Sequence, residues 1–122
     1  MGRCEYCRVF EGDSFAVYTI DHIIAEKHGG QTHPDNLAYS CLICNHYKGT
    51  DVASYDLDTG QLTPLFNPRQ DCWGDHFRVT TTGQIVPLAA IGRVTVRLLQ
   101  LNRPERIRER QLLIQEGFFE NI

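Results

Sequence analysis

The stretch CLICNHYKG, Cys41 to Gly49, decides how this chain folds. It holds a Cys-x-x-Cys pair, polar residues at 45 and 46, and a glycine that ends a short helix over Leu42 to Lys48. Thirty-three residues separate it from a second such pair, CEYC, with Cys4 and Cys7. Two knuckles supply four thiolates, the donor set of a closed tetrahedral Zn²⁺ site; iron suits the same donors. Two pairs together argue against a redox motif, and in a chain read as intracellular they are not disulfides. Structural zinc is worth about 10–16 kcal/mol in small fingers, while a whole domain has a net stability of about 5–15 kcal/mol. The metal is therefore expected to hold the N-terminal half together. Cys72 is left over and is expected to pack as a small hydrophobe.

Between the knuckles, Glu11 to Ser14 reads as a turn and FAVYTI, Phe15 to Ile20, as a strand rich in β-branched and aromatic residues. Asp21 and His22 follow it. Ala25 to Asn36 is a loop punctuated by Gly29-Gly30 and Pro34-Asp35-Asn36, and LAYS, Leu37 to Ser40, is a second strand entering the second knuckle. The second half carries two hairpin patterns, turning at Asp58-Thr59-Gly60 and near Thr82-Gly83. Ile91, Val94, Leu98 and Leu101 then mark one helix face, and Pro104 starts a second helix through about Glu116. The class is α+β, divided into a core over 1–52 and an extension of hairpins and two helices over 53–122.

With 122 residues, 42% of them hydrophobic, the chain is one domain or one domain with an extension. It lacks an apolar leader and any run long enough to span a bilayer, so a cytoplasmic protein with no membrane partner is expected. There is no glycine-rich dinucleotide fingerprint, Walker loop or nucleophile elbow, which removes nucleotide-driven and acyl-transfer chemistry.

The net charge is −3, but it is unevenly spread: residues 1–60 hold four basic and nine acidic side chains, residues 61–122 eight basic and six acidic. Ten of the twelve cations are arginine, and six fall between Arg93 and Arg110. Glu105 and Glu109 stand at helical spacing from several of them, so the window reads equally as a solvated helix laced with ion pairs and as a phosphate-contacting surface. Arg93 and Arg97 have no acidic neighbour at that spacing and are the better candidates for phosphate contact.

If the two strands pair and the helix packs across them, Asp21-His22, Asn36 and Asn45-His46 come together. A carboxylate and an amide oxygen are hard ligands suited to Mg²⁺ or Mn²⁺, and a neighbouring imidazole is a general base at neutral pH. Such a set hydrolyses phosphodiesters with metal assistance. Lys48, one turn beyond Asn45, reads equally as a phosphate contact or a solvated helix end. His28 and His33 read as surface loop residues, His76 as local packing, and Trp73 and Phe77 as core.

CEYC, IDHIIAEKHGG, DNL and CLICNHYKG, in that order and spacing, resemble the HNH endonuclease family in its zinc-containing form, with the ββα-metal fold. The resemblance covers Cys4 to about Gly49. The remainder resembles a C-terminal extension of small stand-alone bacterial members. It implies a structural zinc on Cys4, Cys7, Cys41 and Cys44, and a catalytic Mg²⁺ or Mn²⁺ on Asp21 and Asn45. It makes His22 the general base, and Asn36 the residue whose amide braces the loop and so orients that base. The chain is then an HNN variant: Asn45 matches the family's position immediately after the last zinc cysteine and is favoured over His46, since one helical step of about 100° keeps the two from both facing the metal. The implied activity is hydrolysis of double-stranded DNA leaving 5′-phosphate ends, with Asp21 and His22 flanking one phosphate where the pleat lapses. The alternative is an inactive zinc-stabilised nucleic-acid-binding or scaffold module, with a rubredoxin-like electron carrier a distant third.

Overall fold

The computed structural model describes residues 2–13 and 17–117 of the chain. Strands β1 (Tyr18–His22) and β2 (Leu37–Cys41) pair antiparallel, and helix α1 (Leu42–Lys48) follows β2 without a break. Three hairpin or helical units then succeed one another: β3 (Ala53–Tyr55) with β4 (Leu62–Pro64), the single turn α2 (Trp73–His76), and β5 (Phe77–Val79) with β6 (Ile85–Pro87). Helices α3 (Ala90–Leu99) and α4 (Pro104–Gln115) close the chain. The fold is α+β, built of small antiparallel hairpins and helices around a four-cysteine cluster. Among the described residues, no helix is long and apolar enough to cross a membrane.

The hairpin turns fall where glycine and polar residues placed them. The loop from 25 to 36 holds two short 3₁₀ turns, Glu26–His28 and Pro34–Asn36, that hydrophobic pattern does not reveal. The first strand differs more. Phe15 and Ala16 lie outside the described residues, and β1 runs on through Asp21 and His22, paired with Ala38 and Leu37. Directly opposed residues share a face. Asp21 therefore lies with Ala38 and Ser40, both buried, while His22 lies with Ile20, Leu37 and Tyr39 on the opposite face, which is buried at Tyr18 and Cys41 but only partly covered at this end. The alternation expected to lapse here continues, because the Asn36 carbonyl accepts from Ile23 N at 2.8 Å and extends the pairing beyond His22.

One apolar cluster joins the two halves, from Cys4, Tyr6 and Ala38 to Trp73, Phe77, Leu99 and Leu113. Trp73 Nε1 donates to Tyr6 O at 3.1 Å, and Trp73 and Phe77 are core as read from sequence. Cys72 is not buried: it is exposed just ahead of α2, where the chain leaves the surface. The inward face of α3 is also rotated from the aliphatic pattern. Gly92, Thr95 and Leu99 are buried alongside Val94, while Ile91 and Leu98 are only partly covered. A Cβ on Gly92 would strike His76 O, so this glycine lets α3 approach α2 closely. Thr95 bonds inward as well, accepting from Phe66 N at 2.9 Å and donating to Ile91 O at 2.7 Å.

Arg93 and Arg97, read as phosphate contacts, are bound to the β3–β4 hairpin instead. Arg93 Nε and Nη2 each lie 2.9 Å from a carboxylate oxygen of Asp56, a residue 1% exposed. Arg97 Nη2 donates to Tyr55 O at 2.7 Å and Ser54 Oγ at 3.3 Å. Their partners lie some forty residues upstream, outside any helical spacing. The Arg93 fork holds the Asp56 carboxyl well below the usual carboxylate range, against the upward push of burial and with help from Thr59 and the Asp58 amide. A lowered folded pKa contributes stability fully present above the unfolded value of about 3.9 and lost as pH falls through the folded value. Thermal melts of the protein and Asp56→Asn should therefore differ most at neutral pH, and by the same amount down to about pH 4. The curves should converge in stronger acid; a gap that persists there would place the contribution elsewhere.

Candidate functional site

The four cysteine sulfurs lie within 4.8 Å of one another, and all four residues are fully buried. Tetrahedral zinc with bonds of about 2.3 Å sets sulfurs about 3.8 Å apart; Cys7 and Cys41 stand at 3.9 Å. The spacing is far too long for a disulfide of about 2.05 Å. In each knuckle the second cysteine's amide faces the first cysteine's sulfur at 3.4 Å. Arg8 completes the first turn with φ at +69°, and its guanidinium lies 4.8 Å over the Trp73 ring. The cluster fits a zinc site.

Two arginines of α4, expected to be solvated, complete this centre. Arg106 is 1% exposed and Arg110 fully buried. Arg106 Nη2 stands 3.2 Å from Cys41 Sγ, and its Nη1 bonds both Glu109 oxygens at 3.0 Å. Burial alone would lower the Arg106 pKa; the charges of Cys7, Cys41, Glu109 and Cys44 outweigh it and hold the guanidinium firmly ionised. Arg110 donates to Gly83 O at 2.6 Å, Leu101 O at 2.7 Å and Cys7 O at 3.3 Å, tying the knuckle to α4 and the β5–β6 turn. A tetrathiolate zinc centre is a buried dianion, and buried charge needs a partner. The sequence did carry a signal: like charges at i, i+4 repel on an exposed helix, so paired arginines there called for anionic or carbonyl partners.

The polar candidates sit at the open end of β1 and β2. On the covered face, Asp21 acts electrostatically on Lys48, which lies one turn beyond Asn45 on the same side of α1. Neither the Asp21 carboxylate nor the half-buried Asn45 amide has a hydrogen-bond partner among the described residues, so their oxygens are free to hold a hard cation. His46 is exposed instead, in a groove with Leu42, Ile43, Arg103 and Glu105. Lys48 is 3% exposed and donates to Ile23 O at 2.8 Å; it is neither a solvated helix end nor, in this conformation, a phosphate contact. Burial lowers its pKa, against Asp21 and Asp51. The helix ends at Gly49, whose φ of +53° suits glycine.

On the other face, His22 Nε2 lies 2.8 Å from Thr32 Oγ1 and 3.7 Å from Glu26 Oε1, two residues the sequence reading passed over. Asn36 spans the loop between them. Its Oδ1 accepts from Ile24 N at 2.9 Å, and its Nδ2 donates to Ile24 O at 2.9 Å and Gln31 O at 2.8 Å. His28 and His33 are exposed, His33 Nδ1 accepting from Asp35 N at 3.1 Å.

Residues 4–51 match the family model of the HNH endonuclease. No curated protein and no solved structure matches the chain.

Chelation should unfold β1, β2 and α1, read as loss of tertiary circular dichroism in step with zinc release; an unchanged spectrum in metal-free protein would show that packing alone suffices. Arg106→Gln leaves the Cys41 sulfur without its cation, and zinc affinity should fall about 10–100-fold, as for other outer partners of metal ligands. Competition against a chromophoric chelator measures this directly, with Arg106→Lys in between.

Proposed function

We propose that this protein is a divalent-metal-dependent endonuclease that hydrolyses phosphodiester bonds of double-stranded DNA, with its β1–β2–α1 unit acting as a ββα-metal core. The observation that carries the reading is that, within an HNH-matching segment, Asp21 and His22 end one strand of the hairpin while Asp21 and Asn45, the latter on α1, each carry an unpartnered hard donor. Consecutive Cα atoms are about 3.8 Å apart. A phosphate lying across the end of β1 therefore meets Asp21 from one face and His22 from the other, without any lapse in the pleat.

In this reading His22 takes the proton of a water molecule in line with the scissile bond. The water oxygen bonds to phosphorus as the bond to the 3′-oxygen breaks; the departing oxygen takes a proton from solvent, leaving a 5′-phosphate and a 3′-hydroxyl. Asp21 and Asn45 would hold Mg²⁺ or Mn²⁺, which when bound offsets negative charge developing on the phosphate and the leaving oxygen. Asn36 keeps the loop beside His22 in place, and Lys48 holds Ile23 at the strand end.

The electrostatic footprint on DNA is small. Among the described residues Lys27, Arg78 and Arg108 are exposed cations without an ion-pair or hydrogen-bond partner. Non-specific affinity scales with phosphates neutralised, so binding by this chain is weak and salt-sensitive.

Supercoiled plasmid with Mg²⁺ or Mn²⁺ tests the reading, with the protein and His22→Ala compared at equal zinc content. Loss of the base should lower nicking by about 10²–10⁴-fold, which corresponds to about 3–5 kcal/mol of barrier. Equal nicking by both would remove His22 from the chemistry. No nicking by either, with zinc bound, would favour the inactive binding module.

A further inference from the structure

The 2.8 Å approach of Thr32 Oγ1 to His22 Nε2 spans ten residues, and the loop between them is unusually well fixed for an exposed segment. Gln31 O receives Asn36 Nδ2 at 2.8 Å and His33 N at 3.1 Å, so both neighbours of Thr32 are tied. Gly30 N donates to Ala25 O at 3.1 Å, and Asn36 N to His33 O at 2.8 Å. A Cβ on Gly30 would collide with Ile24 O and crowd Asn36 Nδ2, so only glycine lets the amide of Asn36 grip the loop this closely. The result is that Thr32 is presented to the imidazole from a fixed position.

A neutral imidazole has one nitrogen that donates and one that accepts. At Nε2 it meets two groups. The Thr32 hydroxyl can take either role, but the Glu26 carboxylate, 3.7 Å away, can only accept. At 3.7 Å the carboxylate is beyond hydrogen-bond reach, but its charge favours a hydrogen on Nε2, which Thr32 Oγ1 at 2.8 Å then accepts. The lone pair is then on Nδ1, on the ring edge away from Thr32.

We propose that Thr32 is a positioning residue for His22: its hydroxyl accepts the Nε2 hydrogen, sets the ring's orientation and tautomer, and leaves Nδ1 as the atom that takes the proton from water. The inference rests on the nuclease reading for its kinetic consequence but not for its geometry. It gives the Asn36 amide a defined output: Asn36 grips Gln31, Gln31 places Thr32, and Thr32 aims His22. As the water proton arrives at Nδ1, the imidazolium keeps its Nε2 bond to Thr32 with the Glu26 carboxylate nearby, so the charged form is met by an existing acceptor.

The experiment uses the zinc-loaded full chain and three forms: wild type, Thr32→Val and Thr32→Ser. Long-range proton–nitrogen correlation spectra, recorded above the imidazole's titration range, should show His22 as a single Nε2–H tautomer with a ring N–H signal slowed in exchange. Valine should broaden or abolish that signal and serine should restore it. In plasmid cleavage, kcat should fall by about tenfold in Thr32→Val with KM little changed, and recover in Thr32→Ser. An Nδ1–H tautomer in the wild type, or an unaltered ring signal and kcat in Thr32→Val, would overturn the proposal. A protein that never cuts yet shows the serine-restored Nε2–H signal would keep the positioning and sink the nuclease reading alone.

Discussion

Everything in this structure depends on placing four cysteine sulfurs in a space less than 5 Å across, sealed from water. Two come from a turn at the start of the chain, and two from the junction where β2 becomes α1. That junction sets the direction of α1 and therefore where Asn45 and Lys48 lie relative to β1. The negative charge so concentrated is met by Arg106 from α4, more than sixty residues downstream of Cys41. The C-terminal helix is thus a wall of the cluster, and Arg110 fastens that wall to the first knuckle through Cys7 O. Small hairpins supply little burial of their own. Here they are organised around one centre to which both ends of the chain contribute.

Much of this was legible in the sequence because it rests on local rules. The spacing of Cys4, Cys7, Cys41 and Cys44 announces a tetrahedral site, and the glycine at 49 ends a helix at the residue where it stops. The turns at Asp58-Thr59-Gly60 and Thr82-Gly83 were read from backbone preference alone. What was not legible is non-local. Arg93 finds Asp56 and Arg97 finds Tyr55 across hairpins, contacts to which helical spacing is blind. The helix face of α3 was misjudged for a related reason: Gly92 and Thr95 carry no aliphatic signal, yet close approach and a satisfied hydroxyl make theirs the buried side. Cys72 shows the converse, an apolar side chain left at the surface by its place ahead of a single-turn helix.

The candidate site shows the same division. The adjacency of Asp21 and His22 posed a question that residue types alone answered only halfway. Strand pairing continues through both, so they serve opposite faces: one turned toward α1, the other toward the loop of Thr32 and Asn36. Each face has its own support. Lys48 fixes Ile23 from below, Asn36 grips Ile24 at both backbone groups, and the two isoleucines directly after His22 are held without help from a ligand. Positioning of this kind, assembled before any substrate arrives, is what proximity and orientation require of a site.

The arginines carry the last consequence. A composition rich in arginine invites a nucleic-acid reading, yet Arg93, Arg97, Arg103, Arg106 and Arg110 all bond within the protein. A buried guanidinium is costly to desolvate unless carboxylates, carbonyls or thiolates surround it. Each of these has such partners, which fixes its geometry; Arg103, Arg106 and Arg110 are buried, while Arg93 and Arg97 stay partly exposed but are held to the β3–β4 hairpin. The planar fork that suits phosphate equally suits backbone carbonyls and a metal-bound sulfur. In a chain of small hairpins it does the work a larger apolar core would otherwise do. Charge that holds the fold together is not available to hold DNA. The arrangement of the candidate site and the surface charge of the chain are therefore separate properties of this molecule, the first built into the hairpin end and the second left to a few exposed cations.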